Sequence, residues 1–332
     1  MKTLTGASLA LILHSSFCVP TPLSAISVQA ITQDPSNLTS AAVWQSTKAE
    51  HIYGLPDIKH NKNGTLTLHT DALTFTAKSG NMSIPRSSIT AVSAGNQRVE
   101  LWGIEGRLLR MAIPNGGGLG AAAFMHHRVD LLTVEFNDRN GGNHTAVFFL
   151  PSNEADHALR TFALAPAGRR QISSVGCQNA PVEPRSVLVS APNWDNAAVP
   201  AAYRGLVYEH VVDRLRRKQD IGHVYRDGEN DGHGVCPQYT VHISIVTFKE
   251  GSSVERAVLG PIGEFVGTTQ MKFDVTITDA SGTLNISKQI TATIRGEVES
   301  TDVADHLAKT VAKHYVNVLK NAAKGATDAP KS

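Results

Sequence analysis

The sequence predicts an α+β protein made of two successive domains, one rich in β-strands and one mixed. Three observations carry that expectation. Between His51 and Phe149, apolar residues recur at every second position in short runs separated by turn residues. After Ser152 the apolar spacing lengthens to that of a helix. Past a stretch containing Pro166, Gly168, Pro181 and Pro184, a strand, a helix, three longer strands and a final helix follow, in the order β-α-β-β-β-α.

Residues 1–30 read as a signal peptide. Lys2 supplies a positive start, Ala7–Leu13 an apolar stretch too short to span a bilayer, and Val28-Gln29-Ala30 the small residues of a cleavage site. Pro20 and Pro22, with no periodicity after Ser15, argue against a buried helix here. Cys18 follows Phe17, where a lipoprotein signal needs Gly or Ala, so a lipid anchor is not expected. The chain is 41% hydrophobic and 18% charged, with a net charge of +2. That balance suits a globular protein and gives no concentrated basic face for nucleic acid. In an oxidising compartment Cys177 and Cys236 form an even pair, and a disulfide between them is expected; two unpaired thiols are the alternative.

Residues 31–50, rich in Ser, Thr and Ala, read as a leader to the first domain, which spans 51–165. Gly64–His69 and Ala72–Ala77 alternate apolar and polar residues around a turn at Thr70-Asp71. Asn81–Pro85, Val99–Trp102, Arg107–Ile113, Leu131–Phe136 and Ala146–Leu150 continue the strands. Ser152 or Asn153 then caps a helix through Ala155, Leu159 and Phe162.

The run from Asn63 to Thr76, followed by Met82–Pro85 and Ile89–Val92, resembles the opening of bacterial pleckstrin-homology-like and GRAM-like domains. That resemblance covers roughly residues 51–165. It implies an antiparallel, partly open β-barrel closed by a C-terminal helix. It does not imply phosphoinositide binding, because no dense basic loop lies between the first strands.

Residues 166–185 read as a linker and 186–321 as an α/β sandwich domain, with 322–332 a flexible tail. Ser186–Ser190 is a short apolar strand. Pro200 starts a helix with Tyr203, Leu206, Val207, His210, Val211 and Leu215 near helical spacing, ending in Arg214, Arg216, Arg217 and Lys218, where cations complement the dipole. Asp220–Pro237 reads as a polar loop. Tyr239–Phe248, Gln270–Thr278 and Leu284–Ile294 are strands, and Thr301–Asn321 is a helix with Val303, Leu307, Val311, Tyr315 and Val318 on one stripe. The strand-then-helix opening at Val187–Leu215 and the turn at Thr276–Gly282 resemble the exported α/β domains of an uncharacterised envelope-protein family. That family is distantly similar to curli-secretion-channel and Tol-type periplasmic domains. The resemblance implies an assembly or interaction module in the periplasm, or outside the cell, and brings no catalytic residues with it.

Two segments are candidate sites. Asn115–Gly120, with Gly116, Gly117 and Gly118, mimics a dinucleotide loop, but the eight residues Ala121–Arg128 leave no room for a crossover helix. Leu119, Phe124 and Met125, beside His126, His127 and Arg128, instead suggest either an interaction element that touches a membrane surface or a partner groove through 116–128, or a tip whose Phe124 and Met125 fold back onto the barrel or the second domain. Asp227, Glu229, Asp231 and His233 form a weak metal motif. Its twelfth position, Gln238, cannot supply the bidentate carboxylate of a calcium loop, and a solvated acidic loop is the plainer reading.

No G-x-S-x-G, H-E-x-x-H or P-loop is present, so no cofactor and no catalytic residue is assigned. The expectation is an exported, non-enzymatic interaction module binding envelope proteins. A binder of a small apolar or lipid ligand is second, and a hydrolytic enzyme without a familiar motif third.

Overall fold

The protein is seen here in a computed structural model that describes residues 41–100, 126–163, 180–194, 198–229, 236–251, 268–294 and 302–327. The expected signal peptide, the loop residues Gly116–Met125, Cys177, Asp231 and His233 lie outside the described residues.

The first region forms seven strands: β1 (Ala42–Tyr53), β2 (Lys62–His69), β3 (Ala72–Ala77), β4 (Gly80–Pro85), β5 (Ile89–Glu100), β6 (His126–Asn137) and β7 (Asn143–Leu150). They make one antiparallel sheet in the order β4-β3-β2-β1-β7-β6-β5. The sheet curls round a core of Leu66, Leu68, Phe75, Ile84, Val92, Val134, Phe136 and Phe148, and α1 (Glu154–Phe162) adds Ala155, Ala158 and Phe162. In hydrogen-bond order the sheet is open, with β4 and β5 at its edges, and not a closed barrel. Arg86 holds the C-terminal end of α1 by donating from Nη2 to the Phe162 carbonyl at 2.7 Å.

β1 starts nine residues earlier than the alternation indicates, so the second half of the expected leader is strand. Trp44, Ser46, Ala49 and His51 are buried, but a bulge between Ser46 and Ala49 breaks the two-residue period. β5 and β6 pair antiparallel, with Glu100 opposite His126, so 101–125 joins neighbours of a hairpin and not two parallel strands.

The second region contains β8 (Val182–Val189), α2 (Ala201–Arg216), β9 (His223–Arg226), β10 (Cys236–Lys249), β11 (Thr269–Asp279), β12 (Asn285–Ile294) and α3 (Val303–Thr327). The order is therefore β-α-β-β-β-β-α. The additional strand β9 falls inside the stretch expected to be loop, where four residues are too few to display a period. α3 runs six residues past its expected end at Asn321, into the expected tail. The five strands order as β12-β11-β10-β8-β9, with β8 parallel to both β9 and β10 and the other pairs antiparallel. α+β describes the whole.

From Ser40 onward the chain is one compact unit. The reason is α2, which is buried nearly all round: Tyr203, Leu206, Val207, Tyr208, Val211, Val212 and Leu215 are each 1% exposed or less. It packs on β6 and β7 of the first sheet and on β8 and β9 of the second, and it lies against α3. Leu131 and Val147 of the first sheet accordingly share a core with Val187, Val189, Phe273 and Leu307. β7 is covered on both faces, which is why Ala146–Leu150 reads as a continuous apolar run.

Candidate functional site: a polar cleft at the junction of β1, α2 and α3

Where the end of β1 meets α2 and the start of α3, a cleft of about 610 Å³ opens. Its floor is a pair of rings. Tyr53 on β1 and His210 on α2 lie 3.9 Å apart between centroids, and His60, from the loop after β1, stacks on Tyr53 at 5.6 Å.

Two ion pairs flank the rings. Tyr53 donates its hydroxyl to Asp213 Oδ2 at 2.5 Å, and the same oxygen accepts from Arg217 Nη2. On the other side Arg214 clasps Asp305 of α3, from Nη2 to Oδ1 at 2.7 Å and to Oδ2 at 2.9 Å. His210 Nδ1 lies 3.5 Å from Asp305 Oδ1. Helical spacing explains the arrangement: His210, Asp213, Arg214 and Arg217 fall three and four apart, on one face of α2. Burial pulls the His210 pKa down to about 4 against the opposing pull of Asp305, so the imidazole is neutral at neutral pH. Burial, and then the bond to Asp213, pushes the Tyr53 phenol well above its ordinary range.

No serine, cysteine or lysine is among the described lining residues. Among the described residues no cluster of three His, Cys, Asp or Glu is arranged to hold a metal ion. A Ser–His contact does occur elsewhere, Ser190 Oγ to His242 Nδ1 at 3.1 Å beyond the end of β8. Ser190 is only 3% exposed, and Asp227 Oδ2 is engaged by the Ala191 N–H at 3.3 Å, so no accessible nucleophile with its own orienting carboxylate is formed.

The expected site residues fare differently. Asp227 and Glu229 are described, and both serve the backbone: Glu229 Oε2 accepts from the Arg226 N–H at 2.7 Å. Asp231 and His233, and the loop residues Gly116, Gly117, Gly118, Leu119, Phe124 and Met125, lie outside the described residues. Cys236 is buried at the start of β10, 1% exposed. Sequence reasoning missed the cleft, having placed His210 at helical spacing with the apolar residues of α2 and assigned Arg214 and Arg217 to the helix dipole.

Neither family models nor curated proteins match this sequence. Among solved structures, the chain is similar to the PelC dodecamer from Paraburkholderia phytofirmans, at 14% identity over 40% of this chain and 89% of that one, TM-score 0.28. It is similar also to lipoprotein GNA1162 from Neisseria meningitidis, at 11% identity over 40% and 99%, TM-score 0.26. Both scores are too low to bear on fold or function.

Proposed function

We propose that this protein is an exported, non-enzymatic interaction module of the cell envelope, docking an extended segment of a partner protein on the free edge of β12. The observation that carries this reading is the edge itself. β12 is ten residues long and among the described residues pairs only with β11, and Ser287, Lys288, Gln289 and Thr291 are exposed along it. Such an edge presents a row of backbone donors and acceptors to an added strand. Lys288 disfavours indiscriminate pairing and favours a partner strand with a carboxylate opposite it.

The signal-like residues 1–30 support export, and two antiparallel meanders, β1–β4 and β5–β7, joined through the β1–β7 pair and packed by α1, support a pleckstrin-homology-like arrangement as a scaffold. The lipid-binding alternative is less well supported, because Leu66, Leu68, Phe75, Phe136 and Phe148 fill the space inside the curled sheet. The test is fractionation with N-terminal sequencing of the mature chain, coupled to mild in-cell crosslinking. The expected result is an envelope fraction, a start near Ile31 and a reproducible protein adduct. Retention in the cytoplasm with an intact Met1 overturns the reading.

A further inference from the structure

We infer that the cleft between β1, α2 and α3, walled in part by Thr293 near the end of β12, is a binding site for a neutral, hydroxyl-rich ligand of the saccharide class; the inference does not rest on the docking edge. The charge pattern selects the class. Two cations, Arg214 and Arg217, and three carboxylates, Asp213, Asp302 and Asp305, line the cleft. Both guanidiniums are neutralised in place by Asp305 and Asp213. Among the described lining residues an anion meets two cations that are already paired and three carboxylates, so phosphate or sulfate is disfavoured there relative to a neutral ligand. A compact cation meets carboxylates of which two already carry a guanidinium.

What the cleft does offer is neutral hydrogen bonding over an aromatic floor. Among the described residues the side chains of His60, Asn61 and His306, all exposed at the rim, and the Oδ1 atom of Asp213 take part in no hydrogen bond. Asn61 is held at the rim with φ 53°, a left-handed conformation that Asn tolerates better than most residues. Imidazole and carboxamide groups each donate and accept, which matches the paired character of a hydroxyl. The rings of Tyr53, His210 and His60, packed on one another, line the cleft together with Ile52 and Leu206 and supply apolar surface against which the C–H face of a pyranose can lie. A volume of about 610 Å³ lies within the range of small-ligand pockets, about 300–1,000 Å³.

The experiment is saturation-transfer NMR and calorimetry on the purified mature chain. The probes are trimers of N-acetylglucosamine, β-linked glucose and α-linked glucose, with inorganic phosphate and spermidine as charged controls. The expected result is that at least one trimer binds with a Kd of about 1 mM or tighter. The variant His60→Ala/His306→Ala then weakens that binding by about tenfold or more, with an unchanged melting temperature. Phosphate and spermidine leave it undisturbed. Failure of every trimer to bind at 10 mM (about tenfold above that Kd), equal binding by the rim variant, or displacement by phosphate overturns the inference. These outcomes are read at His60 and His306, whereas the docking edge is read separately at Gln289, four residues before the Thr293 that lines the cleft.

Discussion

Arg226 and Glu209 form a bidentate ion pair in the interior, with Nη1 to Oε1 at 3.0 Å and Nη2 to Oε2 at 2.8 Å, their side chains 6% and 4% exposed. The pair is also where the two sheets are joined. Arg226 Nη1 donates to the Asn143 carbonyl at 2.9 Å, and Glu209 Oε1 accepts from the Thr145 N–H at 2.8 Å. Strand β9, helix α2 and strand β7 are thus tied at one point. Burial works against the Arg226 charge, but Glu209 outweighs it and holds the guanidinium firmly protonated.

Breaking that pair from one side leaves a buried charge without its partner. Glu209→Gln or Arg226→Met is expected to cost about 3–5 kcal/mol in urea unfolding. The double variant Glu209→Leu/Arg226→Met is expected to recover part of the loss, since apolar replacement removes both desolvation costs together but strips the Thr145 N–H of its acceptor and the Asn143 carbonyl of one donor. A single variant as stable as the parent contradicts a joint of this kind.

α2 approaches β7 so closely that a side chain on Gly205 has no room: a Cβ there lies 2.2 Å from Thr145 Cγ2. In an ordinary helix interior Gly→Ala stabilises by about 1 kcal/mol. Here Gly205→Ala is expected to destabilise by about 1–3 kcal/mol, and Gly205→Ala/Thr145→Ser to regain part of it. Stabilisation by Gly205→Ala alone contradicts the close approach.

His51 is buried at 1% exposure, accepting from the Leu55 N–H on Nε2 at 3.1 Å, with Nδ1 3.2 Å from the Lys59 carbonyl. Those partners require the neutral form with the proton on Nδ1. Burial lowers its pKa from 6.5 to about 4. The unfolded chain therefore binds a proton that the folded one refuses. Stability is complete above pH 6.5 and falls as pH drops toward 4, by about 3 kcal/mol for this group. Urea midpoints across that range measure the loss, and nitrogen chemical shifts read the tautomer directly. A His51 resonance titrating at pH 6.5 contradicts the assignment.

We propose that Cys236 pairs with Cys177 in the exported protein. Peptide mapping without reduction is expected to recover the crosslinked pair, and reduction to lower stability by about 4 kcal/mol in the chain-entropy model. Alkylation of both cysteines before reduction contradicts the pairing.

Legibility in the sequence followed the physics of each element. Gly64–His69 and Ala72–Ala77 announced β2 and β3 because one face of each is buried and the other is not. β1 was half hidden because its bulge shifts the phase between Ser46 and Ala49. β9 was hidden because Arg226, a charged residue in an acidic stretch, gives no sign that it faces a buried carboxylate 17 positions away. The Tyr208 and Val212 side of α2 was the available clue that this helix is covered by two sheets. The cleft was out of reach of any local pattern, since Tyr53 meets Asp213 across 160 positions and Arg214 meets Asp305 across 91. Only the three-and-four spacing of His210, Asp213, Arg214 and Arg217 hinted at a polar face on a buried helix.

The most direct test of the docking edge is site-specific photocrosslinking in intact cells, with the reactive group placed at Gln289 on β12 and, as control, at Lys309 on the exposed face of α3. If β12 receives a partner strand, Gln289 gives a discrete adduct with one envelope protein, mapping to an extended segment with an acidic residue, and Lys309 does not. Equal adducts from both positions, or none from Gln289, contradict it.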